Sequence, residues 1–175
     1  MDKGEKMNTE NAILARRSVR KFKNTPIPEE LIERLVEAAM AAPSACNKRP
    51  VRLYVITRDE TLTALDRAGM FTKMPSPLVI VVAADMGRTL PRSLAEYWIQ
   101  DASAATENIL VMATALGLGS CWNGVYPQER VMRRVAEILG LADGIVPFSL
   151  VHVGYPDEEH PPHGGYDEAL VSFIK

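Results

Sequence analysis

The run Arg16-Arg17-Ser18-Val19-Arg20-Lys21 places four cations and one hydroxyl within six residues. Arginine grips phosphate through a planar fork of donors and keeps its charge at any physiological pH. A serine beside it adds a short neutral hydrogen bond. The run follows a helical pattern and leads into an extended segment, so it can wrap around an anion. It reads as a phosphate clamp for a small cofactor. The same residues also suit a solvated basic turn that faces the negative end of the preceding helix.

A second stretch, Pro43-Ser44-Ala45-Cys46-Asn47-Lys48-Arg49-Pro50, is bracketed by prolines. Its small and amide residues suit a loop whose backbone comes close to a flat ligand. Asn47 offers both a donor and an acceptor. An ordinary turn between helix and strand has the same composition. A third stretch, Gly119-Ser120-Cys121-Trp122-Asn123-Gly124, reads as a short strand and a turn.

The remaining candidates point away from catalysis by the protein itself. There is no GxGxxG after a strand and no Walker motif. No Ser/His/Asp set and no carboxylate pair stands out, so no catalytic residue is assigned. His152 reads as a satisfied core histidine. His160 and His163 sit in a tail rich in Pro, Gly, Glu and His, and two histidines alone do not make a metal site. Cys46 and Cys121 are far apart and read as small packing residues rather than a disulfide framework. The chemistry is therefore expected from a bound cofactor.

The elements that must position these stretches follow from local pattern. Thr9 can cap a helix through Ala15. Pro26-Ile27-Pro28-Glu29-Glu30 opens a second helix, with an apolar stripe of Leu31, Ile32, Leu35, Val36, Ala39 and Met40 that must stop before Pro43. Leu53 to Thr57 reads as a strand, and Asp59 starts a short helix. Leu78 to Ala84 is a continuous β-branched run, expected to be a strand buried on both faces. A long helix is expected from Arg92 to Leu116, with Trp98, Ala102, Ala105, Ile109, Met112 and Leu116 on one side. Its alanines and Ser103 permit close approach of a neighbour. Gly117 suits a left-handed cap. Pro127 opens a helix to Leu139. Phe148 to Val153 closes the chain as a strand, with Phe148, Leu150 and His152 on one face. The fold class is α+β, a mixed α/β three-layer arrangement with a central sheet flanked by helices.

The chain has 175 residues, a formal charge of -2 and a pI near 5.9. That length fits one domain, 1–175, able to bury roughly 70% of its unfolded surface. The near balance of charge argues against a nucleic-acid partner. The longest apolar run is too short for a membrane span, and the N-terminus does not read as a signal peptide. A reducing, cytoplasmic setting is expected.

Taken together, several stretches resemble the nitroreductase family of FMN-dependent oxidoreductases. They are Arg16-Arg17-Ser18-Val19-Arg20, Ala42-Pro43-Ser44 with Asn47 and Pro50, Pro77 to Asp85, the helix from Asp101, Gly117-Leu118-Gly119-Ser120-Cys121-Trp122, and Val153-Gly154-Tyr155-Pro156. The resemblance covers nearly the whole chain. It implies a homodimer with two FMN sites at the interface and the long central helix within it. It implies that Arg16, Ser18 and Arg20 hold the phosphate and ribityl chain, with Arg17 nearby. It places Pro43, Ser44 and Asn47 along the flavin, and the Trp122-Asn123-Gly124 turn against the isoalloxazine ring. It implies two-electron transfer from NADH or NADPH to a small-molecule electron acceptor such as a nitroaromatic or quinone. Family members commonly have glutamine where this chain has Arg49 and an aromatic residue where it has Val51. Arg49 can neutralise reduced flavin or narrow the acceptor choice. Members also commonly bring a C-terminal basic residue to the phosphate, where this chain reads His163-Gly164-Gly165-Tyr166. The chain is short for the family and is expected to lack the inserted helices that often cover the substrate side. Three alternatives stay open at this stage. They are a flavin-binding or redox-sensing protein without turnover, a dehalogenating or flavin-consuming relative, and a basic-loop protein for another phosphorylated ligand.

Overall fold

The computed structural model describes residues 7–69, 72–161 and 165–174. His163, Gly164 and Lys175 lie outside them. The organising strand is β2 (Leu78–Asp85), whose apolar residues are buried on both faces. It is flanked by β1 (Val51–Ile56) and β4 (Ile145–Gly154), and β3 (Gly119–Gly124) pairs with β4. All pairings are antiparallel and the order is β1-β2-β4-β3, so β1 and β3 are the edges.

Helices cover both faces because β2 is apolar at odd and even positions alike. Leu78, Ile80, Val82 and Ala84 pack with α2 (Glu29–Met40) and α4 (Tyr97–Ala115). Val79 and Val81 pack with α3 (Asp59–Asp66) and α5 (Glu129–Leu139). The short α1 (Thr9–Ala15) lies on α4 through buried Ala12. Polar ties fix the layers: Asn108 Nδ2 on α4 donates to the Ala38 carbonyl of α2 at 2.8 Å, and the Thr106 and Ser149 hydroxyls meet at 3.1 Å. The element order and the three layers agree with the sequence reading. Among the described residues no helix is long and apolar enough to cross a membrane.

Four local expectations are corrected. The α1 cap is Asn8, whose side chain accepts the Asn11 N–H, because the helix starts one residue before the hydroxyl of Thr9 could cap it. The long helix begins at Tyr97, not Arg92, because Arg92 adopts a left-handed φ of 56° after Pro91. Phe148 does not share a face with Leu150. Val82 pairs with Ser149 and Ala83 with Pro147, so Phe148 is the extra residue of a bulge. Its ring turns to Trp98 and Trp122, with centroids 5.9 and 5.6 Å away, while Leu150 enters the opposite core. Finally, Trp122, Asn123 and Gly124 form strand rather than turn, since all three stay in register with β4.

Candidate functional site

The basic run is placed by α1 and β3. After α1 ends, residues 18–23 run extended between β3 and the turn that follows β4. The Val19 N–H donates to the Ser120 carbonyl and the Lys23 N–H to the Tyr155 carbonyl, both at 2.9 Å. Two glycines make this possible. Gly119 and Gly154 are register partners across β3 and β4. A Cβ on Gly119 would stand 2.8 Å from Val19 Cγ1, and one on Gly154 would stand 2.9 Å from both Phe22 and Pro77. The run can settle on the sheet only where side chains are missing.

The result is a concavity of about 260 Å³ lined by Arg16, Arg17, Ser18, Arg20 and His160. Arg16 Nε lies 3.2 Å from Glu107 Oε1 on α4. Arg17 is used mainly as a strap: its Nε donates to the Pro161 carbonyl, and its Nη1 to the carbonyls of Leu14 and Arg16. Its Nη2 is buried with no partner among the described residues. Arg20 Nη1 donates to the Ser18 carbonyl at 3.2 Å. The backbone N–H groups of Arg20 and Lys21 donate to Glu158 Oε1. The Arg20 N–H, first among these donors, holds the Glu158 carboxyl below the usual carboxylate range. Cys121 sits behind the concavity; burial pushes its thiol up, against the pull of the Arg20 guanidinium. Three guanidiniums face two carboxylates here, so an anion is favoured, and a buried N–H without a partner is the usual mark of a missing acceptor.

The second predicted group lies elsewhere. Past α2 the chain makes a tight turn over Ala45–Asn47, with Cys46, Asn47 and Arg49 at φ of 49°, 53° and 50°. Three non-glycine residues in the left-handed region cost about 1–2 kcal/mol each, and such strain persists where the surroundings over-determine it. The surroundings are visible. Asp101 on α4 accepts the Ala45 N–H at 2.8 Å, Ser44 Oγ accepts the Arg49 N–H, and Asn47 Oδ1 accepts Arg49 Nε at 2.8 Å. Pro43, Ser44 and Arg49 line a cavity of about 250 Å³ with Met40, Arg88 and Asp101. Asp101, 6% exposed, is a residue that sequence reading missed, as is His160 in the first concavity. The signal for Asp101 was a carboxylate inside the apolar stretch from Trp98 to Ala105.

The third group is split by strand alternation. Trp122 packs toward α4, Asn123 is buried, and Gly124 is exposed at the strand end. Of the predicted residues, Arg16, Arg17, Ser18 and Arg20 therefore line one concavity beside the β3 edge, Pro43, Ser44 and Arg49 line another where β1 and the start of α4 meet, and Asn47, Trp122, Asn123 and Gly124 line neither. Among the described residues no group of three or more His, Cys, Asp or Glu side chains could hold a metal.

Comparison with known proteins gives one consistent result. The model of the nitroreductase family matches residues 13–70 and 67–155. An Archaeoglobus fulgidus protein, provisionally named an NADH dehydrogenase/NAD(P)H nitroreductase, is 44% identical over 149 residues, 84% of each chain. A crystal structure of a Parabacteroides distasonis protein with the same provisional name superposes at a TM-score of 0.88, with 34% identity, over 94% of this chain and 96% of that one. An FMN-dependent nitroreductase of Clostridium difficile superposes at 0.85, with 29% identity, over 94% and 98%.

Proposed function

The chain belongs to the nitroreductase family, and on that premise we propose that it is an FMN-dependent oxidoreductase that passes two electrons from NADH or NADPH to a nitroaromatic, quinone or similar small acceptor. The observation that carries this reading is the cationic concavity of Arg16, Arg17, Ser18 and Arg20, with a buried guanidinium nitrogen lacking a partner among the described residues. Its size and donor set fit a phosphate monoester. When bound, FMN supplies the two-electron chemistry.

The chain's own residues then bind and orient. Arg16, Ser18 and Arg20 would grip the phosphate, while Arg17 ties their segment to the Pro161 carbonyl and offers Nη2. Pro43, Ser44, Asn47 and Arg49 would line the ring, their loop held rigid by Asp101. The Arg49 guanidinium, which gives only its Nε–H to Asn47, would stand as a fixed cation where negative charge develops. Asn123 and Gly124 would border the ring from the end of β3, with Trp122 supporting them from the core.

The two concavities are built by different elements of the chain, and the loop of one copy set beside the clamp of a second would bring them onto a single ligand. This supports a homodimer with α4 near its axis. Ile13, Leu14, Met40, Tyr97, Leu170 and Phe173 are exposed apolar residues suited to that contact. Diluting the protein to monomer should release flavin, and a monomer that retains it would overturn the shared site.

The deciding experiment is anaerobic. FMN-loaded protein is mixed with NADH or NADPH and the visible spectrum followed. Bleaching that reverses on adding a nitroaromatic or quinone is the expected result. A flavin that stays oxidised with both donors would refute NAD(P)H turnover and favour a flavin-binding role.

A further inference from the structure

The concavity of the three arginines has one more wall, His160, which comes from the loop after β4. The loop is held on both sides of this residue. Glu158 Oε1 accepts the N–H groups of Arg20 and Lys21, and the Pro161 carbonyl accepts Arg17 Nε at 3.0 Å. His160 is thus positioned by the same basic segment whose side chains it faces. Its side chain is 28% exposed, which a free tail residue would exceed.

The ring is also oriented. Its Nε2 lies 3.2 Å from Glu158 Oε1. Among the described residues no hydrogen bond reaches Nδ1. An imidazole that carries both protons donates Nε2–H to the carboxylate and has Nδ1–H left for an anion. A neutral ring protonated on Nε2 would offer the anion only a lone pair. The charged groups around it are Arg16, Arg17 and Arg20 from the segment after α1, Glu158 from its own loop, and Glu107 of α4 behind Arg16. His160 stands between the Glu158 carboxylate and the space the arginines enclose.

We infer that His160 is a direct ligand of the phosphate monoester, adding a ring nitrogen donor to the arginine clamp and standing as a screen between Glu158 and the anion. This rests on the FMN reading of the site. It also answers what stands in for a basic residue near the C-terminus: the contact comes from the loop directly after β4, ahead of His163.

The test is equilibrium titration of apoprotein with FMN and with riboflavin, which lacks the phosphate, followed by flavin fluorescence. His160→Ala should weaken FMN binding by roughly threefold to tenfold, as expected for one partly exposed charge-assisted contact, and leave riboflavin within about twofold. His160→Lys should restore most of the FMN affinity. Adding Glu158→Gln to His160→Ala should recover part of the loss, because the carboxylate no longer faces the phosphate. An FMN affinity indifferent to His160→Ala, or a parallel loss for both flavins, would overturn the role. A wild-type chain that binds riboflavin as tightly as FMN, or binds neither, would overturn the flavin site itself, and the two failures are distinguishable.

Discussion

Acid should destabilise this fold through one buried imidazole. His152 lies on β4 with no exposed surface, and its Nδ1 meets the Ser76 hydroxyl at 3.1 Å. Its Nε2 has no hydrogen-bond partner among the described residues. Burial pulls the ring down from the ordinary 6.5 to about 4, and the Met74 backbone offsets only part of that. In the unfolded chain the ring charges as pH falls through 6.5; in the native chain it stays neutral until about 4. Between those values the unfolded state binds a proton that the folded state refuses. Stability is therefore full above the window and is lost as pH falls through it. With about 1.4 kcal/mol per unit over roughly 2.5 units, the loss reaches about 3 kcal/mol, of which about 2.5 kcal/mol is gone by about pH 4.5.

The assay is urea unfolding at several pH values from about 7.5 to about 4.5, on the wild type and on His152→Gln, whose amide can still hydrogen-bond the Ser76 hydroxyl. Other groups titrate as well. Glu158, held low mainly by the Arg20 N–H, loses stability only as pH falls below the carboxylate range, and Asp66, raised by burial, acts in the opposite direction. The difference between the two proteins removes both. It should grow by about 2.5 kcal/mol in favour of the variant between the ends of the range. Curves that stay parallel within about 0.5 kcal/mol would refute the account.

Three further outcomes follow from the site. Arg16→Ala and Arg20→Ala should each weaken FMN about tenfold to a hundredfold, the worth of a charge-assisted contact of about 1.5–3 kcal/mol, as read by fluorescence titration. Wild-type affinity in both would remove the clamp. Gly119→Ala should drive a methyl into Val19, whose Cγ1 lies 2.8 Å from the new atom, costing about 1–3 kcal/mol in denaturant unfolding and loosening FMN together with it. Unchanged stability would mean that the basic segment does not rest on β3. Asp101→Ala should leave the Ala45 N–H unsatisfied, cost about 1–3 kcal/mol, and speed proteolysis within 43–49. An equally resistant loop would show that the left-handed turn holds without the carboxylate.

Much of the architecture is legible because its signals are local. The proline before α2 and the carboxylates of its first turn, the glycine at 117 and the continuous apolar run of β2 each act within a few residues, so the order of nine elements can be read directly. The same holds for the cationic run, whose chemistry is set by residue type. The errors are also local in origin. The alternation that joined Phe148 to Leu150 ignores a bulge that shows only in the pairing of β4 with β2. The turn expected at Trp122 became strand because β4 extends far enough to pair with it.

By itself, the sequence determined the element order, the apolar seams that close three layers, and the presence of a cationic run. Tertiary structure alone decided what that run faces. Arg17 meets the carbonyl of Pro161 across 144 residues, and Arg20 meets Glu158 across 138. The Ala45 N–H finds Asp101 across 56. Such contacts leave no periodic trace in the chain, because they depend on where whole elements pack rather than on the preference of any short segment. That is why His160 and Asp101 join the two concavities only in three dimensions.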